Sequence, residues 1–233
     1  MIKKWNILFL MVLSIFSTIA LSRTLVISGN SRFSVGSSLI RGNGKIEIDK
    51  RKLGLFEKLS TNVTADIEYV TSDSYQIEIT TDDNIVPLIV TTVKDRTLFI
   101  DSSKSFSTVN SLRIKVYGPA TLYGVSLNGA SKVSLHGIAG NTLKININGS
   151  GNVTALGKVK NLIININGSS EIDTKKLSAN DVTINGKGSS SIIVSVTKKL
   201  DVVVDGVSSV TYVGSPEVIN KTIHGFGSIT SGK

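Results

Sequence analysis

The sequence predicts an all-β protein, a single-stranded right-handed parallel β-helix (β-solenoid) with coils of about 18–20 residues. Three observations carry that expectation. The 233 residues include 21 glycines and only 3 prolines, with 40% hydrophobic and 6% aromatic residues and a mean hydropathy of +0.19, which suits short strands and many turns rather than disorder. Short stretches alternate apolar and polar side chains, and no segment has a helical period. In the second half a glycine-centred pattern returns every 18–20 residues.

Residues 1–22 read as a signal peptide. Lys3 and Lys4 precede an apolar run from Ile7 to Leu21, with small residues Ala20 and Ser22 before a cut at Arg23. A run of 15 residues is short for a membrane span of about 20. Cleavage would leave an exported chain of residues 23–233 with no later transmembrane segment, in the periplasm, on the outer-membrane surface or outside the cell. Residues 23–44, rich in glycine and serine, are expected to form a flexible leader.

Residues 45–118 are expected to form irregular N-terminal β coils. Candidate strands are Lys45–Ile48, Leu59–Val70, Tyr75–Thr80, Leu88–Val93, Thr97–Ile100 and Leu112–Val116, separated by Asp, Asn, Ser and Thr. A seam at Gly118-Pro119 is the alternative, with two separate domains.

Residues 119–233 are expected to form regular coils continuous with 45–118. Their corner glycines are read as Gly129, Gly149, Gly168, Gly186, Gly206 and Gly225, spaced 20, 19, 18, 20 and 19 residues apart. Alternating, mostly β-branched residues such as Ile145/Ile147 and Ile164/Ile166 precede each glycine. A glycine after Asn or Asp permits positive φ at a sharp corner. The next apolar residue follows four positions later in five repeats and six later after Gly186, which predicts a local insertion or bulge there. The residues before the glycines are expected to stack as a polar ladder of Asn128, Asn148, Asn167, Asn185, Asp205 and His224.

These coils resemble the head GIN domain family of auto-transporter adhesins. The resemblance rests on Asn148-Gly149-Ser150-Gly151, on Gly186-Lys187-Gly188-Ser189, and on Tyr212-x-Gly214-x-Pro216 followed by Gly225-x-Gly227-Ser228. It implies an exported bacterial β-solenoid and brings no catalytic, metal or cofactor residues with it.

The composition narrows the chemistry. With no cysteine and two histidines, thiol catalysis, disulfides and multi-histidine metal sites are excluded. No cofactor and no enzyme activity are expected. Asp181 and Asp201 precede Asn185 and Asp205 by four residues each, so an enzyme acting on acidic polysaccharide is the alternative, and a purely structural envelope protein a further one. Thr81-Asp82-Asp83-Asn84 is either a calcium loop or an ordinary turn.

The formal charge of +9 favours acidic partners. An anionic-ligand face is expected at Lys132, Lys144, Lys175, Lys187, Lys198 and Lys199, for an acidic glycan or an envelope component rather than nucleic acid. The expected function is an adhesin or cell-envelope binding module, with open ends that leave room for self-association.

Overall fold

The computed structural model describes residues 39–232, which fall in one compact unit. The expected signal peptide and residues 23–38 of the leader lie outside the described residues. Among the described residues the protein is all-β, with a single 3-10 turn at Val86–Leu88. Its strands are β1 (Ile40–Arg41), β2 (Ile46–Lys52), β3 (Lys58–Thr61), β4 (Asp66–Thr71), β5 (Gln76–Asp82), β6 (Ile89–Lys94), β7 (Thr97–Ser102), β8 (Phe106–Ser107), β9 (Arg113–Gly118), β10 (Gly124–Val213) and β11 (Val218–Ser231).

The 90 residues of β10 are paired almost throughout, because the chain returns to lie beside itself every 18–20 residues. Asn148 bonds to Asn128 and Thr154 to Ser134, both 20 residues back, and Asn165 bonds to Asn146, 19 residues back. β11 pairs in parallel with 199–212, in unbroken register from Lys199↔Val218 to Tyr212↔Ser231.

The first half continues these layers out of sequence order. β3 and β4 pair in parallel with the start of β10, through Val125↔Leu59 and Val133↔Ile67. β7 and β9 then pair in parallel with the far sides of β3 and β4. The chain therefore makes one layer at 58–71, leaves it, returns beneath it at 97–118, and crosses to its other side at Gly124.

The pairing is mixed, not parallel throughout as the sequence predicted. β2 is antiparallel to β5, β5 to β9, and β6 to β7. The cause at β6–β7 is a two-residue reversal at Asp95-Arg96, both at positive φ (49° and 56°), which only an antiparallel hairpin accommodates. These strands close the first end of the stack.

The inward residues form columns. Leu98, Leu59 and Val125 are in register, and Ile145, Ile164, Ile184 and Val202 continue them, each at most 1% exposed. Burying each such side chain contributes about 1.5–3 kcal/mol. Gly118-Pro119 is not a seam. A Cβ on Gly118 would meet Tyr69 Oη at 2.6 Å and Phe56 Cζ at 2.7 Å, and Tyr69 Oη donates to Pro119 O at 2.8 Å.

Residues 40–44, expected within the leader, are bonded into the strands. Ile40 and Arg41 pair with Phe106 and Ser107, and Gly42 N donates to Ser107 O at 2.8 Å. Gly44 N donates to Asp82, and the residues flanking it bond to Asp83 and Asn84, so 40–44 belong to the folded structure. Hydrogen-bonding residues 40 positions away, invisible to a local composition reading, fix them there.

Candidate functional site

The corner glycines set the frame. Gly129, Gly149, Gly168, Gly188, Gly206 and Gly225 all have φ between 112° and 137°. A Cβ built on Gly149, Gly168, Gly188, Gly206 or Gly225 would stand 2.1–2.8 Å from the carbonyl oxygen of the glycine one layer below. The column therefore excludes every other residue by close approach as well as by φ.

Gly188, not Gly186, occupies the fourth corner. Gly186 is buried in the inward row between Ile166 and Val204, and a Cβ on it would lie 3.4 Å from Val204 Cγ1. Asn-Gly is a strong local turn signal, but here the deciding constraint is the apolar residue four positions after the corner. Counted from Gly188, that residue is Ile192, as in the other five repeats, so there is no insertion.

That two-residue shift rearranges the polar ladder. Asn148 Nδ2 donates to Asn128 Oδ1 at 3.1 Å, Asn128 Nδ2 to Asn62 Oδ1 at 2.9 Å, and Asn62 Nδ2 to Asp101 Oδ1 at 2.7 Å. Above Asn148 the row continues through Asn167, Lys187, Asp205 and His224, with Asp205 and His224 in register. Asn185 is not in this row.

Asn185 heads a second row that the sequence reading missed. Its Nδ2 donates to Asn165 Oδ1 at 3.0 Å, Asn165 Nδ2 to Asn146 Oδ1 at 2.9 Å, and Asn146 Nδ2 to Ser126 Oγ at 3.3 Å. Ser60 lies in register beneath Ser126. The signal was present: asparagine stands three residues before Gly149, Gly168 and Gly188.

Between the two rows runs a groove of about 720 Å³, with Lys187, Asp205 and His224 toward one end. Asn62, Asn128, Asn146 and Asn165 each use one N–H and part of the carbonyl on their neighbours. A carboxamide has two N–H donors and two acceptor lone pairs, so each keeps hydrogen-bonding capacity toward the groove.

The six lysines do not form one basic face. Lys187 lines the groove. Lys132 lines a separate depression of about 460 Å³ with Asp66, Glu68 and Glu78. Across that depression Glu78, Lys115 and Glu68 alternate in sign, and Lys50 extends the row beyond it, with ion pairs Lys50–Glu78 at 3.1 Å and Lys115–Glu68 at 3.5 Å. Lys199 is bonded to Asp201 at 2.7 Å, which holds its ammonium pKa above the ordinary lysine range. Lys175 N donates to Asp173, and Lys144 N to Tyr123 O. Lys198 follows the buried run Val194–Val196 on an exposed stretch.

Of the residues considered for other chemistry, Asp201, Asp82 and Asp83 are engaged in hydrogen bonds and ion pairs. Asp181 and Asp201 do not hold equivalent positions once Gly188 is the corner, since Asp181 lies seven residues before its glycine and Asp201 five before Gly206. Hydrogen bonds from Lys199 and Asn220 hold the Asp201 carboxyl below the usual range. In the 81–84 turn, Asp82 accepts from Gly44 N (3.1 Å), Val109 N (2.7 Å) and Asn110 Nδ2 (2.6 Å), while Asp83 pairs with Lys45 at 3.0 Å. Among the described residues no cluster of three or more His, Asp or Glu side chains is placed to hold a metal. His136 lines the smaller depression and His224 the groove.

Stacked β layers that carry two side-chain rows along one face define the class, an all-β protein. The chain belongs to the family described as "Putative auto-transporter adhesin, head GIN domain", whose model matches residues 55–216. It is similar to the crystal structure of a "putative adhesin" from Bacteroides fragilis, with 28% identity and a TM-score of 0.64, covering 82% of this chain and 99% of that one. A "putative adhesin" from Parabacteroides merdae, at 20% identity and a TM-score of 0.51, shares the fold over 83% of this chain and 99% of its own. A search of curated proteins found no match. No helix among the described residues is long and apolar enough to cross a membrane.

Proposed function

We propose that this chain is an exported, non-enzymatic adhesion module. In this reading it is a right-handed parallel β-helix that binds a linear, hydroxyl-rich glycan of a cell envelope in the groove between its amide rows. In-register parallel pairing of 199–212 with 218–231 supports the β-helix, and parallel crossovers are right-handed in about 98% of cases. The observation that carries the binding reading is the unbroken run Ser126, Asn146, Asn165 and Asn185. It repeats a neutral donor-and-acceptor group about every 4.8 Å along the axis. Such a surface matches successive hydroxyls better than phosphates. Lys187 and Asp205 balance within the groove, so the excess positive charge elsewhere acts as long-range steering toward acidic envelopes.

Protease treatment of intact cells, followed by an array of neutral and acidic glycans, tests this reading. Loss of the protein from intact cells, with saturable binding and no turnover, is the expected result. Turnover of a polyuronate that disappears in Asp201→Asn would favour the enzyme. Protection until the outer membrane is broken, with no glycan bound, would favour a structural envelope role.

A further inference from the structure

We propose that the exposed edge of β11 receives residues 25–35 of a second copy of this chain, so that copies join head to tail. On one side β11 pairs with 199–212 over its whole length, and among the described residues nothing pairs its other side. Columns that are buried in every lower layer are uncovered here. Ile223 is 39% exposed above Val204 at 1%, and Ile229 is only partly buried above Val210 at 0%. A parallel strand edge with an apolar inner row is a template for one more layer.

The sequence holds one more layer. Counted from the corner glycine, the inward positions are four and two before it, and two, four and six after it. Around Gly168 they are Ile164, Ile166, Ser170, Ile172 and Thr174, and around Gly206 they are Val202, Val204, Ser208, Val210 and Tyr212. Around Gly29 the same positions hold Leu25, Ile27, Ser31, Phe33 and Val35. All five suit their columns, including the small residue after the corner.

A chain's own leader does not reach its own β11. Val35 is five residues from Ile40, at most about 18 Å of extended chain. Ile40 pairs beside the 97–118 layer, seven layers and about 33 Å from β11. The donor must therefore be another copy, and such a heterologous contact repeats without closing.

Lys221 tunes the contact. It stands above Val202 at an inward position, and its ammonium turns out to Ile229 O at 3.2 Å and to within 5.1 Å of the Tyr212 ring centroid. An inward lysine on an edge discourages indiscriminate pairing. Because its head group already sits at the rim, an incoming Leu25 would cover only the stem.

Sedimentation velocity on the exported chain, purified without denaturation, tests the proposal. Concentration-dependent oligomers are expected. Ile27→Asp with Phe33→Asp, and separately Ile223→Asp, should each leave monomers, and mixing the two variants should give dimers that grow no further. Lys221→Val, which matches β11 to the lower layers and does not threaten the fold, should tighten association at least tenfold. Three results would overturn the proposal: a monomeric unaltered chain, as when the leader covers the exposed Ile46 and Ile48 of its own chain instead; oligomers that survive the leader substitutions, which would mean edge meeting edge; or variants that fail to pair on mixing.

Discussion

Gly188 lies so close over Gly168 that a Cβ on it would stand 2.2 Å from the Gly168 carbonyl oxygen, whereas a Cβ on Gly186, two residues earlier, would meet nothing nearer than Val204 Cγ1 at 3.4 Å. The two glycines therefore answer oppositely to the same substitution. Gly188→Ala forces a side chain into positive φ and into the backbone below, and should cost about 3 kcal/mol or more. Gly186→Ala fills an inward position and removes unfolded-state freedom, so its effect should stay within about 1 kcal/mol of zero. Urea unfolding of both variants checks the corner assignment.

Two residues beyond the corner, three serines carry hydroxyls with no use. Ser170, Ser190 and Ser208 are 8%, 7% and 3% exposed, and none of their Oγ atoms has a hydrogen-bond partner. Ser131, in the same column, donates to Val63 O at 2.6 Å and accepts from Ala65 N. The column requires small side chains, and only its lowest member faces an irregular loop that supplies partners. Ser208→Ala should stabilise the protein by up to about 1 kcal/mol, while Ser131→Ala should destabilise it by about 1–3 kcal/mol. Thermal unfolding of the pair separates the two cases.

The regular half was legible because one constraint repeats in it. Every layer needs a glycine where backbones approach and a β-branched residue four positions on, and both recur at fixed spacing. At Gly186 the local Asn-Gly pair signals a turn, while the spacing to Ile192 marks Gly188 as the corner. The first half was not legible, because its layers are joined out of order: 58–71 pairs with 97–118 on one side and with 124–136 on the other. Nothing in the local pattern of Leu59 or Ile67 records which strands lie beside them. The second amide row went unseen because Asn146 and Asn165 read as the polar half of an alternating strand.

Acid should loosen the first end of the molecule. Burial raises the Asp82 carboxyl pKa, but the N–H groups of Val109, Asn110 and Gly44 together hold it below its ordinary 3.8. Lys45 and Asn43 do the same for Asp83. A depressed folded-state pKa contributes stability that is fully present above 3.8 and lost as the pH falls through the lowered value. The melting temperature should therefore hold steady from neutrality to about pH 5 and fall below the ordinary carboxylate range. Asp82→Asn cannot accept from all its donors, so it should melt earlier at neutral pH with a shallower acid decline. Hydrogen exchange at Val109 and Asn110 should accelerate with it. An acid slope unchanged in this variant would assign the loss to other carboxylates.

The groove can be tested without disturbing the core. Asn165 is half-buried, donates to Asn146 and accepts from Asn185, so it is the middle link of its row. Asn165→Val suits a strand but breaks the row at its centre. Water can reach the freed amide of Asn185, which is exposed, so the stability cost should be about 1 kcal/mol. Glycan binding should weaken more than stability does, by at least tenfold, because two neighbouring amides lose their fixed orientation along with the missing group. The control is Thr154→Val, which breaks a similar bond to Ser134 on a different face. Equal loss of binding in both variants would place the ligand outside the groove; loss in Asn165→Val alone, read by calorimetry against one fixed oligosaccharide, would place it between the amide rows.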